Sequence, residues 1–120
     1  MKVNKRPENG KNFVEYSTRG TKISFGDGEI TADLQKKERD DVVRIDVCRD
    51  FTDGLTFSAI GARTYVAQIS IPARKYVDEE VDNPDYNPED ENSQEKITNH
   101  VPVPFSMDNV ELILFEEVNE

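Results

Sequence analysis

The chain has little of what catalytic and metal sites are made from. It carries one cysteine, Cys48, and one histidine, His100. A single cysteine rules out an intrachain disulfide, and the two residues together cannot supply a Cys/His metal set. No glycine occurs between residues 62 and 120. The one Gly-x-Gly upstream, Gly26-Asp27-Gly28, lacks the spacing of a phosphate-binding loop and suits a hairpin turn instead. A Gly-x-Ser-x-Gly nucleophile elbow is also missing. Long apolar runs are absent too. The longest, Leu112 to Phe115, is far too short to span a membrane. The opening Met1-Lys2-Val3-Asn4-Lys5-Arg6-Pro7 has charge but no apolar stretch behind it, unlike a signal peptide. These absences lead to the expectation of a cytoplasmic, non-enzymatic protein with no cofactor, no metal and no membrane partner.

What the chain has is charge, unevenly placed. Charged residues make up 33% of the sequence against 35% hydrophobic, and the net charge is −10. Residues 1–75 hold 14 Lys/Arg and 11 Asp/Glu, whereas residues 76–120 hold one lysine, Lys96, and 14 Asp/Glu. Residues 77–100 alone hold nine Asp/Glu. Such asymmetry speaks about partners rather than about fold.

At 120 residues the chain is expected to form one domain, 1–120, with a modest core. Turn signals recur at Asn9-Gly10, Arg19-Gly20, Asp27-Gly28 and Asp53-Gly54. Between and after them run segments with period-2 alternation: 13–18, 21–25, 29–34, 42–51, 55–59 and 65–71. Ile23 and Phe25 share a face, as do Val43, Ile45 and Val47, with Cys48 opposite. Tyr65, Ala67, Ile69 and Ile71 form a further set. Helical periodicity is weak, and 35–41 reads as a polar connection with room for one helical turn. Val110 to Phe115 is apolar on both faces, which suits a central strand. The pattern predicts an all-β fold, a small antiparallel sandwich or barrel built from hairpins. Residues 77–100 have too few large apolar side chains to offset the cost of ordering the backbone, about 1–2 kcal/mol per residue. They are expected to form a long, flexible acidic loop inserted in the domain.

Each candidate site has a plain alternative. His100 is most simply an exposed loop residue, and Cys48 a buried small apolar one. Asn83-Pro84-Asp85-Tyr86 matches a short pattern read by some adaptor domains, but an Asn-Pro turn accounts for it. The acidic residues Asp78, Glu79, Glu80, Asp82, Asp85, Glu89, Asp90 and Glu91 lack the EF-hand spacing for calcium.

Two functional readings follow. In the first, the chain is a non-catalytic binding or regulatory module, and those eight acidic residues meet a basic protein partner. In the second, an OB-like barrel binds single-stranded nucleic acid through Lys36, Lys37, Arg39, Arg44, Arg49, Arg63, Arg74 and Lys75. That reading relies on aromatic side chains interleaved with a basic surface.

Overall fold

The alternation in the sequence becomes ten strands in three sheets, described for residues 1–117 of a computed structural model. The all-β expectation holds, and among the described residues no sheet closes into a barrel. The chain divides into two units. One comprises Met1–Ala73 and the chain from Phe105 on; the other is Arg74–Pro104.

In the first unit, a five-stranded sheet contains β1 (Lys2–Arg6), β5 (Val43–Asp50), β6 (Leu55–Thr56), β7 (Ala62–Ile71) and β10 (Glu111–Phe115). Their order is β1-β10-β7-β5-β6. β10 lies between two neighbours, as its apolar faces require, and buries Leu112 and Leu114. A second sheet holds β2 (Tyr16–Arg19), β3 (Lys22–Phe25) and β4 (Ile30–Asp33). Ile23, Phe25 and Ala32 from this sheet join Val47, Val66, Ile69, Ile71, Leu112 and Leu114 in one apolar cluster. A short element of this region, α1 (Leu34–Lys37), is the helical turn anticipated after β4. It buries Leu34 in the same cluster.

Three details depart from expectation. β1 pairs with β10 in parallel, from Lys2 opposite Glu111 to Arg6 opposite Phe115. Its polar sequence gave no strand signal because an edge strand can be held by ladder hydrogen bonds with little side-chain burial; of its residues only Val3 packs against the core. The β5–β7 register slips between Val47 and Cys48, whose partners are Ala67 and Tyr65. One step on β5 thus crosses two residues on β7, the signature of a bulge. Val66 and Ala67 are consequently both buried while Tyr65 is left 51% exposed, so simple alternation fails there. In the turn after β5, the residue with positive φ is Asp53 (63°), not Gly54. Gly54 instead sits in close quarters. A Cβ there would lie 3.2 Å from the Asp50 carboxylate, which accepts hydrogen bonds from the amides of Thr52 and Gly54.

The second unit corrects the expectation of a long loop over 77–100. β8 (Tyr76–Asp82) and β9 (Lys96–Pro102) form a two-stranded antiparallel hairpin, paired from Tyr76 opposite Pro102 to Asp82 opposite Lys96. Only 83–95 is a connection. The strands form because their few apolar residues are in phase: Val77, Val81, Ile97 and Val101 share one face of the register. Polar side chains also meet across it. Lys96 pairs with Asp82, and His100 Nδ1 lies 3.0 Å from Asp78 Oδ1.

Candidate functional site

The eight acidic residues all fall in the second unit, on two kinds of backbone. Asp78, Glu79, Glu80 and Asp82 are exposed on β8. Period 2 places Asp78, Glu80 and Asp82 in one row, about 7 Å apart, with Glu79 on the other face. The rest lie in the connection, which folds by local polar rules. Asn83 and Asn87 accept hydrogen bonds through their side chains from the amides of Asp85 and Glu89, at 2.9 and 3.1 Å. Asp90 does the same for Asn92 at 3.0 Å. Each such Asx turn is closed by a backbone bond three residues on: Tyr86 to Asn83, Asp90 to Asn87, Ser93 to Asp90. The two Asn-Pro segments are therefore turns, as their composition indicates, and a third turn follows them. Ser93 Oγ then accepts from the Asn87 amide, tying the run together.

This ladder of turns holds Asp85, Glu89, Asp90 and Glu91 exposed on a defined backbone. Among the described residues, Glu79, Glu80, Asp85, Glu89, Asp90 and Glu91 form no ion pair; Asp78 and Asp82 have the partners named above. His100 is exposed, as anticipated, but it lies on β9 rather than in a loop. Its ring stacks on Tyr76, centroids 4.4 Å apart at 13°. The stacking was missed because the register that brings residue 100 diagonal to residue 76 is not visible in the sequence.

The eight basic residues are divided between the two units. Arg74 and Lys75 belong to the second unit. In the first unit, Arg49 is bound through its side chain by Glu117, whose carboxylate pushes the guanidinium pKa up further. Arg63 pairs with Asp53. The other four gather. Lys36, Lys37 and Arg39 on and after α1, with Arg44 on β5, border two adjoining recesses that meet at Phe57. Phe57 also packs edge-on against Phe25, ring centroids 6.3 Å apart. In the sequence Phe57 was one aromatic among several, and nothing there separated it from core residues.

Cys48 is fully buried, and burial, with Asp46 nearby, pushes its thiol pKa up. A raised pKa is opposite to what a reactive thiolate needs. No group of three or more His, Cys, Asp or Glu among the described residues is arranged to hold a metal ion. No helix among them is long and apolar enough to cross a membrane. Compared with known proteins, the chain matches no family model, no curated protein and no solved structure.

Proposed function

We propose that the chain is a non-catalytic binding module whose Arg74–Pro104 hairpin engages a basic protein partner. One observation carries this reading: six carboxylates that form no ion pair among the described residues stand on a hairpin and turn ladder that hold their backbone in place. Holding like charges together is unfavourable for the free protein and favourable only when opposite charge arrives. Because the turns are already formed, less ordering entropy is lost on docking than for a disordered acidic tail. The row Asp78, Glu80, Asp82 has the period of an extended chain, so it suits a partner strand with Lys or Arg at alternate positions. Exposed ion pairs such as Asp82–Lys96 are weak, about 0–1 kcal/mol, and yield readily to a partner's cation.

The test is capture from cell extract with the full chain and with a variant carrying Asp85→Asn, Glu89→Gln, Asp90→Asn and Glu91→Gln. These changes keep shape and the side-chain carbonyl of residue 90 while removing four charges. The wild type is expected to retain a basic protein whose association slows as salt rises. The variant should associate roughly 10-fold or more slowly. Equal capture by both forms, or recovery of nucleic acid alone, would refute the proposal.

A further inference from the structure

The recess around Phe57 is lined by residues of the first unit. It has two lobes of about 300 Å3 each, at the lower end of small-ligand sites. Ala32, Lys37 and Phe57 line both lobes. One lobe adds apolar Ile45 together with Arg44 and Asp46. The other adds Lys36 and Arg39 with Thr31 and Asp33. A ring-sized apolar floor therefore adjoins a cationic pocket.

The charges around the recess favour an anion. Four cations border it against two carboxylates, and both carboxylates are already engaged by neutral donors. Thr21 Oγ1 donates to Asp33 at 2.7 Å, and Gln68 Nε2 donates to Asp46 at 3.1 Å. Lys36, Lys37, Arg39 and Arg44 form no ion pair among the described residues. The Arg39 guanidinium is held over the end of α1 by bonds to the carbonyls of Lys36 and Glu38, which positions its charge without neutralising it. Arg44, from β5, faces the same recess from the opposite element.

We propose that this recess binds a nucleotide unit, with the base against Phe57 and Ile45 and the phosphate against Lys36, Lys37 and Arg39. A free phosphate would not use the apolar lobe, and an uncharged aromatic would leave the cations unmatched. The base-plus-phosphate combination uses both. Stacking on an aromatic side chain and backbone neutralisation by Lys and Arg are the two terms that hold single nucleotides in a strand, and Phe57 is half-buried at the recess rather than closed off in the core. The same chemistry suits a free nucleotide.

The experiment follows backbone amide NMR shifts of the full chain at low salt with three probes: adenosine monophosphate, inorganic phosphate, and a short oligoadenylate. Shifts should centre on residues 31–37, 44–46 and 57 with adenosine monophosphate, with oligoadenylate, or with both. Oligoadenylate binding roughly 10-fold tighter than the mononucleotide identifies a strand as the source, and equal affinities identify a free nucleotide. Phe57→Leu should weaken binding of the nucleotide probe about 10-fold. Because Phe57 also touches Phe25, a second variant, Lys37→Ser with Arg44→Ser, tests the recess through exposed positions. Inorganic phosphate binding as tightly as the nucleotide, shifts mapping elsewhere, no shifts at all, or affinity unchanged in the double variant would each overturn the proposal.

Discussion

The two units of this chain fold by different means. Among the described residues, fifteen apolar side chains are buried; all lie in the first unit, from Val14 to Leu114, and none within Arg74–Pro104. The first unit is held by burial, with two sheets contributing to one cluster. The hairpin has a backbone ladder, half-exposed valines and an isoleucine, exposed cross-strand side-chain pairs and side-chain-capped turns. A two-stranded hairpin alone is marginal in water. The lesson is that apolar content predicts where the core is but does not decide where structure ends. Polar residues of the right kind at the right spacing can shape a backbone that buries almost nothing.

Core substitutions should separate the units most sharply. Leu112→Ala removes a fully buried side chain from the central strand β10 and should cost about 2–5 kcal/mol. Val81→Ala, on the hairpin, should change global stability by roughly 0.5 kcal/mol or less. Denaturant melts of both variants check this. Similar losses would mean that the hairpin contributes to global stability as a core element does.

A smaller effect concerns acid. In the first unit, the Thr52 hydroxyl, followed by the amides of Thr52 and Gly54, holds the Asp50 carboxyl below its ordinary pKa of 3.8. A pKa lowered by folding stabilises the native state above the ordinary value, and that contribution is lost as pH falls through it toward the folded value. Asp50→Asn should therefore lower the melting temperature at neutral pH, with the gap to wild type narrowing below about pH 4. Melting curves across pH test this; a gap that stays constant would show that the charge at residue 50 is not what the turn uses.

How much of this was legible beforehand differs along the chain. The turns at Gly26-Asp27-Gly28 and 52–54, the short helical turn after β4 and the central placement of β10 followed from turn residues and from apolar faces. The bulge at Val66 was not legible, because two adjacent apolar residues in a strand read equally well as two opposite faces. The parallel pairing of β1 was hidden because ladder bonds between backbones leave no side-chain signature. For the acidic segment, the Asn-Pro turns were visible but the strands flanking them were not. Apolar residues spaced four apart look sparse until a partner strand supplies the other half of the face. Composition marked the acidic residues along the chain, but not the strand that carries four of them. For the basic residues, spacing along the chain could not tell Arg49 and Arg63, bound by Glu117 and Asp53, from Arg44, which stays unpaired among the described residues.

The central claim is that the first unit is the folded scaffold and the hairpin is the binding element. It is tested most directly by excising residues 74–104. The ends of the segment are adjacent, with the Val103 amide donating to the Lys75 carbonyl at 2.8 Å, so a short Gly/Ser bridge can replace it. The excised protein should keep a cooperative thermal transition and lose the basic partner that the full chain captures. Loss of the transition, or retention of that partner, would contradict the account.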